Sequence, residues 1–173
     1  MVSSHLKKKF QSIVAPKIEI LAKMGITPNM LTLSGLVASS LVALMYLNWN
    51  RNPWMPLTAG ILLLISGFLD AIDGILARTT GKASVFGGFI DSVADRYSDA
   101  IVLSALTLSG KVFQWYGLAT LIGSLMVSYA RSRAEGYGVD MAGVGLAERA
   151  ERMIILALAS MASLINTNIL NWS

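Results

Sequence analysis

Long apolar runs separated by short polar breaks dominate the chain. Between residues 6 and 21, Leu6, Phe10, Ile13, Val14, Ile18 and Leu21 recur at helical spacing, while Lys7, Lys8, Lys9, Lys17 and Glu19 fall largely elsewhere. That pattern predicts an amphipathic helix within residues 1–24 lying on an anionic membrane surface, kinked or divided at Pro16. Gly25-Ile26-Thr27-Pro28-Asn29 ends it, with Thr27 placed to cap the next helix and Pro28 at its first position. From about Met30 to Trp49 roughly 20 residues carry no charge, enough to cross a hydrocarbon core of ~30 Å. A polar connection between Trp49 and Trp54 follows, and paired tryptophans mark a membrane interface. The second span starts near Trp54 and stays apolar to Leu69 before Asp70 and Asp73 arrive near its far end. After a turn from Thr79 to Ala83, a third span runs from Val85 to Ser109 with Asp91, Asp95 and Asp99 in its opening turns. A fourth span covers Val112 to Ala130, a glycine-rich loop Gly136 to Gly145, and a fifth span Glu148 to Ile165, before an interface-like tail ending at Ser173.

These elements predict an all-α integral membrane protein: an interfacial helix plus five transmembrane helices, forming one domain over residues 1–173, with the bundle at 25–173. A composition of 54% hydrophobic and 14% charged residues, with mean hydropathy +0.61, agrees with a membrane chain rather than a soluble one. The charged N-terminus leads into an amphipathic segment, so no secretory signal is expected. With no cysteine, disulfides, thiolate metal sites and a cysteine nucleophile are excluded. The single histidine, His5, lies in the basic N-terminal stretch, where it reads as a tail residue, so any metal must be held by oxygen. A net charge of +4 interrupted by apolar helices does not suggest a nucleic-acid groove. Its distribution does orient the chain. With the N-terminus cytoplasmic, only Arg51 and Lys111 of the 14 Lys and Arg residues fall on the opposite side, a strong positive-inside asymmetry.

Four aspartates then stand out. Asp70 and Asp73 share one helix face, Asp91 and Asp95 share another, and the hairpin brings both to the cytoplasmic surface. Ionisable groups in membrane helices are costly and mark functional sites. Carboxylates without histidine or cysteine suit Mg²⁺ or Mn²⁺ better than zinc. Two ions can share such a site and stabilise both the attacking and the leaving oxygen in displacement at phosphorus. Gly74, Gly87 and Gly88 each cost ~1 kcal/mol in a helix relative to alanine. Either a ligand approaching the backbone or close helix packing compensates, and for Gly88 the two readings are even. Asp99 continues the Asp91 and Asp95 face and reads as a buried hydrogen-bonding residue. Arg131, Arg133, Arg149 and Arg152 come from the cytoplasmic ends of two helices and can converge on a second anion, for which the planar guanidinium fork suits phosphate. Taken alone they read rather as ordinary juxtamembrane charge offset by Glu135, Glu148 and Glu151.

Asp70, Asp73, Gly74, Ala77, Arg78, Gly87, Asp91 and Asp95, at these spacings, resemble the complete signature of the CDP-alcohol phosphotransferases, membrane enzymes that make phospholipid head groups. Thr27-Pro28-Asn29 and the helix layout extend the likeness to nearly the whole chain. The resemblance implies metal binding by Asp70, Asp73, Asp91 and Asp95, with Asp95 also the catalytic general base. It implies a CDP-lipid site at Asn29, Met30, Leu31, Thr32, Asp70, Gly74, Arg78, Ser84 and Gly87. Around Ser128 to Glu135 and Glu148 to Arg152 the sequence resembles the branch that uses inositol 1-phosphate, in which residues at the positions of Arg131, Arg133 and Arg152, with Arg149 beside them, hold the acceptor phosphate. The expected reaction moves a lipid-linked phosphate from CDP-archaeol or CDP-diacylglycerol to inositol 1-phosphate and releases CMP, with Mg²⁺ or Mn²⁺ as cofactor. A composition rich in Lys, Ile, Asn and Met leans toward the archaeal lipid. Glycerol 3-phosphate is the rival acceptor. A divalent-cation or proton transporter is the reading from another class, but transporter carboxylates tend to lie near the midplane rather than at one surface beside arginines. The resemblance implies six membrane helices, the sixth adding an arginine to the phosphate pocket, and that helix is expected to be missing from this sequence. A homodimer in the plasma membrane, with its active site facing the cytoplasm and no nucleic-acid partner, is expected.

Overall fold

A computed structural model describes residues 18, 20–139, 141 and 149–170, with side chains to residue 164. Among the described residues there are five α-helices and no strand: α1 Pro28–Leu47, α2 Met55–Thr79, α3 Val85–Leu108, α4 Gln114–Gly136 and α5 Arg149–Leu170. A 3-10 turn, Trp49–Arg51, follows α1. Most of the expected interfacial helix, half of the glycine-rich loop and residues 171–173 lie outside the described residues, as does Glu148.

The breaks fall where local chemistry puts them. Gly25 turns the chain at φ +80°, a conformation that glycine adopts without steric cost. Thr27 Oγ1 accepts from the Met30 amide at 3.3 Å, and Pro28, which has no amide hydrogen to leave unpaired, opens α1. At the other end of the α2–α3 connection, Ser84 Oγ caps α3 by accepting from the Gly87 amide at 3.0 Å. α4 runs on past Ala130 to Gly136, so Arg131 and Arg133 are helical rather than part of a loop.

Small residues let the helices approach closely. Ser66 Oγ of α2 donates to the Gly35 carbonyl of α1 at 3.0 Å and lies 3.0 Å from Ser39 Oγ. A Cβ on Gly60 would lie 2.7 Å from the Ala157 carbonyl, so α5 crosses α2 in direct contact there. α1 packs on α2 and α3, α2 also on α5, and α3 on α4. Val42, Ala43, Tyr46, Ala59, Leu63, Val102, Ala105, Met153 and Ala157 form the main core, where the Tyr46 hydroxyl meets Ser160 Oγ at 2.6 Å. A second cluster of Ile18, Leu31, Ile72, Ile75 and Leu76 lies at the aspartate end of α2.

The outward faces are equally apolar. Leu33, Val37, Leu41, Leu44, Ile61, Leu64, Phe68, Ile122 and Ile155 are all exposed, far more than a water-facing surface carries. α1 and α2 are each long and apolar enough to cross a membrane. α2 carries its charges, Asp70, Asp73 and Arg78, only in its last ten residues, whereas Asp91, Asp95, Arg96 and Asp99 reach the middle of α3.

Candidate active site

α2 and α3 run into and out of one short connection, which places the last turns of the first beside the first turns of the second. Asp70, Asp91 and Asp95 each present a carboxylate oxygen, and these three lie within 4.8 Å of one another. Asp91 Oδ1 is buried without a hydrogen-bond partner among the described residues. An unsatisfied buried acceptor costs about 1–3 kcal/mol, and a cation removes that penalty. The oxygen-only set therefore fits a divalent cation. Asp73 stands apart from the trio. It is 4% exposed, and its Oδ2 accepts from the Thr32 hydroxyl at 2.7 Å, which locks the carboxylate against α1.

α5 supplies countercharge. Arg149 and Arg152 are three apart at the start of a helix and share a face. Arg149 Nη1 lies 2.7 Å from Asp95 Oδ1 and 3.1 Å from Asp70 Oδ1, while its Nε reaches Asp99 Oδ1 at 3.2 Å. Arg152 Nη2 donates to Asp99 Oδ2 at 3.1 Å and to Ser124 Oγ at 2.9 Å, and Ser124 in turn donates to Asp99. Asp99 is thus the buried hydrogen-bonding residue its position predicts: it ties α3 to α4 and α5 and holds both guanidiniums over the cluster.

Two polar cavities flank the carboxylates. One, of about 200 Å³, is lined by Asn29, Thr32, Asp73, Gly74, Ala77, Arg78, Lys82, Ser84, Gly87, Gly88 and Asp91. A Cβ on Gly74 would lie 3.5 Å from Arg78 Nη1, an ordinary contact, so that guanidinium folds back along α2 over Gly74. One on Gly87 would lie 3.1 Å from Ser84 Oγ and 3.6 Å from Asn29 Oδ1, closing the floor of the cavity. A Cβ added to Gly88 would meet no described atom within 4 Å outside its own helix backbone, so close packing does not account for that glycine, which lines the cavity. The other cavity, of about 230 Å³, is lined by Asp95, Arg96, Asp99, Ser128, Arg131, Glu135, Arg149 and Arg152.

Several expected site residues fall elsewhere. Met30 is exposed on the outside of α1, and Leu31 is buried with Ile72, Ile75 and Leu76, so neither lines the first cavity. Asp70 faces Arg149 rather than that cavity. Arg133 does not line the second cavity. Because α4 remains helical there, residues two apart point to different faces, and Arg133 instead donates to the Tyr137 hydroxyl at 2.8 Å and stacks over its ring at 4.8 Å. Lys82 and Arg96 were not singled out by the sequence. For Lys82 the signal was a lone cation in the turn between the two aspartate helices, and for Arg96 its place directly after Asp95.

Residues 25–173 match the CDP-alcohol phosphatidyltransferase family. The chain is 46% identical over 149 residues to the archaetidylinositol phosphate synthase of Pyrococcus horikoshii, covering 86% of this chain and 77% of that protein. It is 33% identical over 162 residues to the phosphatidylinositol phosphate synthase of Corynebacterium glutamicum, covering 90% and 72%. Among solved structures, the phosphatidylinositol phosphate synthase of Mycobacterium tuberculosis with CDP-DAG bound superposes with a TM-score of 0.66 at 26% identity, covering 90% of this chain and 91% of that one. A signature folded around a shared carboxylate cluster, a match across the bundle and a relative at 46% identity lead to one conclusion: the chain belongs to the CDP-alcohol phosphatidyltransferase family.

Proposed function

We propose that this CDP-alcohol phosphotransferase moves a lipid-linked phosphate from CDP-archaeol to inositol 1-phosphate and releases CMP. The observation that carries the proposal is the position of the carboxylates between two unlike cavities. Asp73 and Asp91 line one together with Gly74, Ala77, Arg78 and Gly87 of the signature, and Asp95 lines the other together with arginines. The first suits a nucleotide diphosphate and the second a phosphorylated acceptor. The archaeal relative supports archaeol as the lipid and inositol phosphate as the acceptor.

In this reading Asp70, Asp73, Asp91 and Asp95 hold Mg²⁺, as two ions. When bound, the metal neutralises the pyrophosphate and stabilises the oxygens that enter and leave at phosphorus. Asn29, Thr32, Gly74, Arg78, Ser84 and Gly87 seat the CDP portion, with Arg78 against its phosphates. Arg131, Arg149 and Arg152 hold the acceptor phosphate, and Arg133, stacked on Tyr137, flanks them. Asp95 takes the proton from the acceptor hydroxyl, whose oxygen attacks the lipid-bearing phosphorus. The bond to the CMP oxygen breaks, and CMP leaves with the electron pair. Thr32 holds Asp73, and Asp99 holds Arg149 and Arg152.

All five helices cross the plasma membrane as a single domain that works as a homodimer, with the N-terminus and the site on the cytoplasmic side. The apolar outward faces and the two self-sufficient spans support that placement. The test is CMP release with Mg²⁺ from CDP-archaeol and from CDP-diacylglycerol, each with inositol 1-phosphate, glycerol 3-phosphate, free inositol or serine. Turnover with CDP-archaeol and inositol 1-phosphate is expected to exceed every other pair. Preference for glycerol 3-phosphate would change the acceptor, and activity only with free inositol or serine would sink the basic-cavity argument.

A further inference from the structure

The second cavity holds four arginines, and their charges are not equally committed. Arg149 is spent on Asp70, Asp95 and Asp99, and Arg152 on Asp99 and Ser124. Arg96 differs. Its Nη1 donates to the Ser92 carbonyl one turn back on α3, and its Nη2 donates to the Ser128 carbonyl of α4 at 3.4 Å. Both partners are neutral backbone groups, and among the described residues no carboxylate forms an ion pair with Arg96. The guanidinium is therefore pinned in place by α3 and α4 while its charge remains uncompensated, and a guanidinium has five N–H donors, more than these two bonds use. A half-buried cation without a counterion is costly in a membrane bundle, and the cavity it lines gives that cost a use.

We infer that Arg96 is a further contact for the acceptor's phosphate and a determinant of specificity for phosphorylated acceptors. The inference rests on reading this cavity as the acceptor site, and it deepens that reading. Arg96 directly follows Asp95, and both line the same cavity, so one turn of α3 carries the general base and a phosphate anchor. A phosphate monoester held by a rigid fork at that point presents its hydroxyls to Asp95 in a restricted set of poses. A neutral polyol lacks the group that Arg96 grips.

The test uses the full chain in detergent with Mg²⁺ and saturating CDP-archaeol, varying inositol 1-phosphate, for the wild type, Arg96→Gln and Arg96→Lys. Removing a charge-assisted contact is expected to raise KM for inositol 1-phosphate by about 10- to 100-fold in Arg96→Gln, with kcat changed far less. Inhibition by inorganic phosphate is expected to weaken by a similar factor. The affinity for CDP-archaeol and the melting temperature should stay near wild type. Arg96→Lys should fall between the two, because lysine restores the charge without the fork. An unchanged KM in Arg96→Gln overturns the inference, as does a rise matched by lost CDP-archaeol affinity or lost thermal stability. If Arg96→Gln does not fold, Arg96→Lys decides, and an unchanged KM there overturns the inference. Should the wild type use glycerol 3-phosphate instead of inositol phosphate, the proposed acceptor fails, while the role of Arg96 stands or falls on whether KM for glycerol 3-phosphate rises. Use of an unphosphorylated acceptor alone overturns both.

Discussion

The two cavities beside the carboxylate cluster are built in opposite ways. The first draws on the end of α2, the connection to α3 and the start of α3, with Pro28, Asn29 and Thr32 from α1 closing one side. Its glycines are placed so that backbone and small polar groups form the wall, and Arg78 folds along its own helix. The second takes its residues from α3, α4 and α5, and its walls are long charged side chains held by ion pairs and carbonyls. A local, backbone-lined pocket suits a constant ligand part such as the CDP group, whereas a pocket assembled from side chains of distant helices can change its ligand by substitution without disturbing the fold. With the first cavity as the proposed donor side and the second as the proposed acceptor side, the donor side would define the family and the acceptor side would be where its members diverge.

The change expected to have the largest effect removes the proposed base, which lines the second cavity and belongs to the carboxylate cluster between the two. Asp95→Asn keeps the shape of the side chain and its contact with Arg149 but takes away the base. Turnover measured as CMP release should fall by about 10²- to 10⁴-fold, the usual contribution of a positioned general base, while CDP-archaeol binding by calorimetry remains measurable. Near-normal turnover would place the base elsewhere.

Next comes a pair of changes that should give crossed kinetic signatures if the cavities are separate. Arg131→Ala should raise KM for inositol 1-phosphate by about tenfold or more and leave KM for CDP-archaeol alone, and Arg78→Ala should do the reverse. Equal effects of either variant on both substrates would mean that the two cavities act as one.

This contrast also decided what the sequence could reveal. The helices were legible because the apolar runs are long and, for α1, because Thr27-Pro28 is a local start signal. The carboxylate cluster was legible because spacings of three and four within two consecutive helices fix a shared face. The acceptor side was only half legible. Arg149 and Arg152 share a face by their spacing, but which of Arg131 and Arg133 joins them depended on α4 staying helical to Gly136, which no local breaker signals. Arg96 was hidden because its partners are the carbonyls of Ser92 and Ser128, and the second of these comes from another helix. Leu31 looked like part of a binding motif because it lies between Asn29 and Thr32, yet a helix turns it toward Ile72 and Leu76.

A smaller effect, on metal binding, should separate the countercharge from the acceptor site. Arg149 places a guanidinium against Asp70 and Asp95, two of the three carboxylates that fit a divalent cation. Like charges a few ångströms apart repel by about 4 kcal/mol at an effective dielectric constant of 20, and relaxation recovers much of that. Arg149→Gln should therefore bind Mn²⁺ about tenfold more tightly, read by electron paramagnetic resonance on the substrate-free protein. Without metal the same variant should melt at a lower temperature, because nothing then offsets the repulsion among the carboxylates. Unchanged Mn²⁺ affinity would make Arg149 a purely acceptor-side residue.

The smallest expected effect probes how the donor side is held. Thr32→Val keeps the shape of the side chain and removes the hydroxyl that donates to Asp73 Oδ2 at 2.7 Å. A buried hydrogen bond to a charged group contributes about 1.5–3 kcal/mol, but the carboxylate can turn toward the cavity and recover part of it from water. The expected loss is therefore about fivefold in affinity for CDP-archaeol, with KM for inositol 1-phosphate unchanged. That asymmetry is the decisive part, because Thr32 and Asp73 line the first of the two polar cavities and not the second. If KM for the acceptor rose instead, Asp73 would act through the shared cluster, and the division into a donor side and an acceptor side would fail where the two meet.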